Sequence, residues 1–279
     1  MSYSRLGRRW LAPRLYSSEP RRRSQAAFMT TAPSVTPRLR PSPALFGVEF
    51  SRAAIEYASH RLRRRPSNDQ GNGHPVNIFP GLGADGRSVW RLRNYLRASG
   101  HDANDWGRGL NRGPRGDGDV DTWLHGLATK VVQRIGTSAK PATLIGWILG
   151  GLYAREVGKL AVAWVRQVVI MGTPFNSDAD HSNVGWLFRA LNGSSTAIDS
   201  TMSRRLRRPP AIPTTSIYSR SNVIVAWQTC LHARTGPQVE DIEVRSSHVG
   251  MVWNSQVLLV IADRLAQPLG RWQQFVPTR

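Results

Sequence analysis

The stretch from Ala142 to Gly151, with the sequence ATLIGWILGG, most constrains what this chain can fold into. An apolar run leads into G-x-x-x-G-G and then a helical pattern, which predicts a buried strand, a sharp turn and a helix. Gly146 and Gly150 stand two residues on either side of Ile148, where a closely approaching strand and helix leave no room for side chains. A β-branched residue at the centre of such a turn costs about 1–3 kcal/mol. We therefore expect either a relaxed turn or surroundings that hold the strain. Taken alone, the stretch also fits a strand end with a simple glycine turn.

Length and composition predict one main α/β domain, because 279 residues with 40% apolar content and ten tryptophans can fill a sizeable core. The net charge of +20 is uneven: residues 1–65 hold 14 arginines and three glutamates, a net +11, which leaves +9 for the other 214 residues. Only three residues are lysines, and an arginine bias of this kind reflects codon composition as readily as phosphate contacts. We therefore predict no nucleic-acid binding. Cys230 is the sole cysteine, which excludes an internal disulfide and a multi-cysteine metal site, so neither a metal nor a cofactor is expected.

The first 73 residues differ in composition from the rest. Residues 1–43 are rich in arginine, serine and proline and predict a disordered basic segment, either a genuine tail, a transit-like peptide, or an over-long start ahead of Met29. They lack the apolar core of a secretory signal, so we expect a cytoplasmic or membrane-peripheral protein. Residues 44–65 show helical apolar spacing and predict either a helix that packs on the domain or a basic amphipathic helix on an anionic membrane. Residues 66–73 predict a linker.

Helical and strand patterns alternate from residue 74 to 279. Strands are predicted at 74–79, 101–106, 142–147, 165–171, 214–218 and 242–244, with helices between them and a closing helix at 254–266. This alternation predicts a mainly parallel sheet flanked by helices, with ligands beyond the carboxyl ends of the strands. The stretch 176–210 predicts a small lid excursion, whose apolar residues at 184–191 would contact an acyl chain or pack on the core.

Four motifs arrive in an order that resembles the α/β-hydrolases of the bacterial esterase and lipase kind. They are the Gly-rich turn PGLGADG at 80–86, the elbow GWILGG at 146–151, the loop SRSN at 219–222 and the loop SSHVGM at 246–251. The resemblance covers about residues 44–275. It implies a nucleophile at position 148, an acid at 222, a histidine base at 248, and an oxyanion hole formed by the amides of Leu82 and Leu149. A phosphate-binding role for the Gly-rich turn is disfavoured, because no P-loop lysine or dinucleotide spacing follows it.

Two of the three chemical groups implied by the resemblance are replaced. The G-x-S-x-G serine is Ile148 and the acid is Asn222, whereas His248 is retained. Three hypotheses follow. The first is an inactive or strongly impaired relative of carboxylic-ester hydrolases. The second is a pseudoenzyme that binds an acyl or ester ligand or a protein partner. The third is a hydrolase with another nucleophile, for which the candidates are Thr173, Cys230, Ser246 and Ser247.

Overall fold

A computed structural model of the chain describes residues 49, 51–56, 73–114, 119–136, 138, 140–176, 200–222 and 224–276. Six strands form one sheet in the order β2-β1-β3-β4-β5-β6, and every neighbouring pair is parallel. The strands are β1 Pro75–Phe79, β2 Asp102–Asp105, β3 Ala142–Trp147, β4 Val165–Met171, β5 Thr214–Tyr218 and β6 Val239–Glu243. Every residue of β1, β3 and β5 is buried, as expected for inner strands of a parallel sheet covered on both faces.

Helices connect and flank the strands. They are α1 Trp90–Ala98, α2 Val120–Ile135, α3 Leu149–Leu160, α4 Ser200–Arg207 and α5 Ser255–Ala266, with short 3-10 turns at Val162–Trp164, Trp227–Cys230 and Val249–Val252. Side-chain caps fix two of the starts: Asp119 accepts from the Thr122 amide at α2, and Asn254 accepts from the Gln256 and Val257 amides at α5. The predicted mainly parallel sheet flanked by helices is therefore confirmed.

The strand order reverses next to the elbow. From β1 the chain moves to β2 on one side of it, and then crosses back to β3 on the other side. The direction in which strands are added to the sheet therefore reverses between β1 and β3. In open parallel sheets, ligands bind beyond the carboxyl ends of the strands at such a reversal. The turn after β1, with the predicted oxyanion donor Leu82, and the elbow after β3, with position 148 and the predicted donor Leu149, both lie there.

One strand lies earlier than predicted. The last strand was expected at 242–244 and runs instead over Val239–Glu243, paired with β5 from Thr214 to Tyr218. The sequence pattern does not indicate the start of this strand, because Glu240 and Asp241 interrupt the apolar run that is typical of the other strands. Buried Glu240 is compensated by hydrogen bonds from the Thr215 hydroxyl and the Arg264 guanidinium, both at 2.7 Å.

A buried arginine ties α3 to the end of α4 and to β6. Arg155 stacks over the Phe175 ring at 3.9 Å and donates to the carbonyl oxygens of Leu206 and Arg208, both at 3.1 Å. Its Nη1 lies 2.9 Å from Nε2 of His232, whose Nδ1 lies 2.7 Å from Asp241. Arg155 can only donate, so the Nε2 of His232 accepts its hydrogen bond. The ring proton is therefore on Nδ1, which donates to Asp241. Of the predicted excursion, residues 177–199, including the expected apolar helix at 184–191, lie outside the described residues.

Candidate functional site

Ile148 occupies a strained turn between β3 and α3. Its backbone has φ 54° and ψ −115°, and among the described residues it is the one non-glycine residue with positive φ. Its amide donates to the Met171 carbonyl at 3.0 Å, and its carbonyl accepts from the Gly151 amide at 3.0 Å. The turn has therefore not relaxed around the branched side chain. A conformation that costs about 1–3 kcal/mol persists only where the surroundings impose it.

The glycines around Ile148 explain what imposes the turn. A Cβ on Gly146 would collide with the Gly150 carbonyl, and one on Gly150 would collide with the carbonyls of Phe79 and Pro80. A Cβ on Gly151 would collide with Thr173. The strand, the following helix and the turn after β1 thus approach to backbone contact. This close packing is the requirement that the glycine spacing predicted.

The turn after β1 is held by a buried side chain that sequence reasoning did not single out. Asn111 is fully buried, donates from Nδ2 to the Pro80 carbonyl at 2.8 Å, and exchanges backbone hydrogen bonds of 2.7 Å with Gly83 and Ala84. Tyr153 of α3 reaches the Asn111 Oδ1 at 3.4 Å. In sequence, Asn111 is one polar residue in the loop 107–114, and nothing there distinguishes it from a turn residue.

The two predicted oxyanion donors follow β1 and β3 at this edge of the sheet. Leu149 is fully buried at the first position of α3, and Leu82 is partly buried in the turn that Asn111 holds. Neither amide donates a hydrogen bond to another described residue. Ile148 lies against the same turn, since a Cβ on Gly81 would be 3.3 Å from Ile148 Cδ1 and 3.2 Å from the Trp147 ring. A hydrocarbon side chain therefore borders the predicted oxyanion donors.

Asn222 and His248 meet across the loops that follow β5 and β6. The His248 Nδ1 lies 2.9 Å from Nδ2 and 3.1 Å from Oδ1 of Asn222, so the distances alone allow either amide orientation. The Asn222 Oδ1 already accepts the amides of Ile224 and Val225, each at 3.0 Å. With that oxygen occupied, Nδ2 donates to the histidine, and Nδ1 is the unprotonated nitrogen.

The histidine is thereby held neutral in the opposite tautomer from that of a catalytic base. Burial lowers the pKa of His248 to about 4, and its ring lies 6.1 Å from the Trp147 ring. With Nδ1 accepting from Asn222, the proton sits on Nε2, the nitrogen that would have to accept a proton from a nucleophile. An aspartate at 222 would reverse this, because one oxygen would keep the two amides and the other would accept from Nδ1–H.

A helical segment before the sheet forms hydrogen bonds with the loop of Asn222 and the loop of His248. These contacts were not predicted from the sequence. Glu49, Arg52 and Glu56 are spaced three and four residues apart, so they share one helix face. Arg52 donates to the Ser221 carbonyl at 2.9 Å and to its hydroxyl at 2.8 Å. Glu56 accepts from the Ser247 amide at 2.7 Å. Glu49 accepts from the amide of His248, and burial raises the pKa of this carboxyl.

Those contacts pack the described residues 49, 52 and 56 against the loops of Asn222 and His248. Membrane contact through 44–65 stays a prediction, as do the assignments of 1–43 and 66–73, of which only Gly73 is described. The signal that sequence reasoning passed over was the spacing of charged residues within an apolar helical pattern. In the described part of the chain, no helix is long and apolar enough to cross a membrane. Nor does any group of three or more His, Cys, Asp or Glu side chains there have the placement to hold a metal ion.

The four alternative nucleophiles are all buried. Burial raises the pKa of the Cys230 thiol to about 12, which keeps it protonated at neutral pH. Thr173 is fully buried against Gly151 and its hydroxyl faces the Met171 carbonyl at 3.3 Å. The Ser246 hydroxyl donates to Glu56 at 3.0 Å, and the Ser247 hydroxyl accepts from the Gly250 amide at 3.0 Å. The three hydroxyls are thus engaged in local hydrogen bonds.

No protein-family model and no curated protein sequence matches the chain. Solved structures do match. Lipase B of Aspergillus fumigatus superposes with a TM-score of 0.53 at 18% identity, covering 90% of this chain and 63% of that one. MGS-MChE2, an α/β hydrolase enzyme from a lagoon-sediment metagenome of Mar Chica, Morocco, gives 0.51 at 18% identity, covering 70% and 91%. The monoacylglycerol lipase of Paleococcus ferrophilus gives 0.50 at 13% identity, covering 69% and 93%. With its parallel six-stranded sheet and the turn at Ile148, the chain has the α/β-hydrolase fold.

Proposed function

We propose that this chain is a relative of carboxylic-ester hydrolases that has lost catalysis while keeping the framework of the site. The observation that carries the proposal is Ile148: its backbone holds the conformation of the turn, and its side chain is a hydrocarbon. The structural neighbours that are lipases make ester hydrolysis the ancestral chemistry favoured by the fold.

Magnitudes indicate how little activity would survive. Loss of the nucleophile in a serine triad costs on the order of 10⁶ in kcat, and asparagine in place of the acid costs about 10⁴ through the wrong histidine tautomer. These two reductions in kcat are not multiplied together. Without a nucleophile the histidine has no group to activate, so the acid that orients the histidine no longer affects the rate. An oxyanion hole and substrate binding alone leave about 10³–10⁴ over the reaction in water.

A hydrolase with a different nucleophile is the weakest of the three hypotheses. Each alternative side chain is buried, and the three hydroxyls have partners that hold a loop or a turn. The thiol of Cys230 lies in a separate small apolar cluster with Tyr218 and Val225. None of these groups is placed beside His248 by a hydrogen bond among the described residues.

Binding of an acyl or ester ligand is the second function that the site favours. Besides the amides of Leu82 and Leu149, the buried Trp147 Nε1 has no hydrogen-bond partner in the described part of the chain. A ligand carbonyl would satisfy such donors, and the Ile148 side chain would add apolar contact. A protein partner is the other ligand class that this reading allows.

Reversion tests the proposal. Ile148→Ser should raise activity on short p-nitrophenyl esters above background, because it places a hydroxyl at the turn. Adding Asn222→Asp should raise kcat by a further factor on the order of 10³–10⁴, because it restores Nδ1–H and stabilises the imidazolium. Asn222→Asp alone should give nothing. Ile148→Ala, which has no hydroxyl, is the matched control.

The outcomes separate the candidate functions. A folded double variant that remains inert across acyl chain lengths would remove the lapsed-hydrolase proposal and leave ligand binding. Ester hydrolysis by the unaltered chain, with labelling of Thr173, Ser246 or Ser247 by a fluorophosphonate, would reinstate the alternative nucleophile instead.

A further inference from the structure

A cationic cavity lies between the last turn of α3 and α4. Its volume is about 490 Å³, and Lys159, Thr201, Arg204, Arg205 and Arg208 line it. Four of these five side chains are cations, and no carboxylate is among them. With a rise of 1.5 Å per residue, Lys159 lies about 15 Å along α3 from Leu149. The cavity is therefore separate from the turn at Ile148.

Two of the cations that line the cavity are held by a buried carboxylate. Glu156 is 2% exposed, and its carboxylate accepts from the Lys159 ammonium at 2.5 Å and from the Arg205 Nε at 2.6 Å. Lys159 also donates to the Arg205 carbonyl at 2.7 Å, and Arg205 pairs with Asp121. These bonds hold an ammonium and a guanidinium side by side without requiring a ligand to order them.

The other two cations are exposed and carry uncompensated charge. Arg204 and Arg208 form no ion pair with a described carboxylate, and Arg204 reaches only the Thr201 hydroxyl, at 3.4 Å. Among the described side chains, the ion pairs of the four lining cations involve two carboxylates, Glu156 and Asp121, which leaves +2 for these six groups. Burial, together with the nearby charges of Arg155 and Arg205, lowers the pKa of Lys159 to about 8 despite Glu156. An added anion would relieve that crowding.

We propose that this cavity binds a phosphate monoester. A phosphate monoester carries about −1.5 to −2 charges at pH 7, which matches the +2 left on those six groups. Guanidinium groups bind phosphate oxygens in a bidentate manner, and the ammonium adds a point charge. The volume exceeds that of one phosphate and leaves room for the attached organic group. Such a group comes from a soluble phosphate ester or from a phospholipid headgroup, and the chemistry of recognition is the same.

The test compares two double variants of the full chain with equal loss of charge. Arg204→Gln/Arg208→Gln removes the two exposed cations and leaves the bonds of Glu156 intact. Arg234→Gln/Arg271→Gln removes two exposed arginines elsewhere and is the control. Binding of glycerol 3-phosphate is measured by calorimetry at fixed ionic strength. Binding to phosphatidylcholine vesicles with and without phosphatidic acid is measured by co-sedimentation.

We expect the cavity variant to bind about 10- to 100-fold more weakly than the control in the arm that shows binding. Saturable binding of glycerol 3-phosphate assigns a soluble ester, and binding only to phosphatidic acid vesicles assigns a headgroup. Affinity should fall as the pH rises through about 8, because Lys159 loses its proton. Equal affinities of the two double variants, or no saturable binding in either arm, would overturn the proposal. Neither outcome bears on the role of Ile148.

Discussion

Replacing Glu56 by alanine would remove the carboxylate that holds the histidine loop. That carboxylate accepts from the Ser247 amide at 2.7 Å, the Ser246 hydroxyl at 3.0 Å and the Asn254 amide group at 3.1 Å. The Ser246 hydroxyl has a second acceptor, the Ser247 carbonyl at 2.9 Å, so it is not stranded by the change. Two buried N–H donors lose their acceptor.

Each stranded donor costs about 1–3 kcal/mol, and such costs are not fully additive. We therefore expect Glu56→Ala to lower the free energy of unfolding by about 2–5 kcal/mol, a large share of the roughly 5–15 kcal/mol typical of a domain. Glu56→Gln keeps one acceptor oxygen for the Ser247 amide and should cost about 1–2 kcal/mol.

Urea unfolding followed by tryptophan fluorescence measures these differences. Ile55→Ala is the matched control, because Ile55 belongs to the same helical segment and is 68% exposed. It should change stability by less than about 0.5 kcal/mol. If Glu56→Ala were as stable as Ile55→Ala, the helical segment would not hold the histidine loop.

Three further predictions concern buried groups. Burial lowers the pKa of His248 to about 4 and that of His74 to about 3, so both are neutral when folded and bind protons more readily when unfolded. The free energy of unfolding should be highest above pH 6.5 and should fall as the pH drops from 6.5 toward 4, by on the order of 3 kcal/mol for His248. A melting temperature that does not change over this pH range would contradict the prediction. Arg155→Met should cost about 3–5 kcal/mol in urea unfolding, since it leaves His232 Nε2 and the carbonyls of Leu206 and Arg208 without their donor, and an unchanged stability would contradict the role of Arg155 in tying α3 to α4. Cys230 should react with thiol reagents only after unfolding; rapid labelling of the native chain would show it exposed.

The sequence predicts the sheet well because its strands are apolar and bounded by turn residues. The strands at 165–171 and 214–218 have the predicted bounds, since continuous apolar or β-branched runs are typical of strands buried on both faces. The glycines around Ile148 predicted close backbone approach for a similar reason, because absence of a side chain is visible in sequence. The last strand was misplaced because its buried Glu240 depends on partners 24 and 25 residues away.

Contacts between charged groups and loops far apart in the chain could not be predicted from the sequence. The grip of Glu49, Arg52 and Glu56 on the loops of Asn222 and His248 joins residues about 170–200 positions apart, and no local pattern encodes which loop a charge will meet. The orientation of Asn222 likewise depends on two amides placed by its own loop. Both features follow from packing, which is resolved only when the chain is folded.

Covalent labelling at position 148 tests most directly whether Ile148 has replaced a nucleophile in an otherwise intact site. The double variant Ile148→Ser/Asn222→Asp is treated with a fluorophosphonate, and the labelled peptide is identified by mass spectrometry. We predict stoichiometric modification of the serine at 148, a far slower reaction for Ile148→Ser alone, and none at this position in the unaltered chain. A folded double variant that stays unmodified at 148 would contradict the assignment of the site.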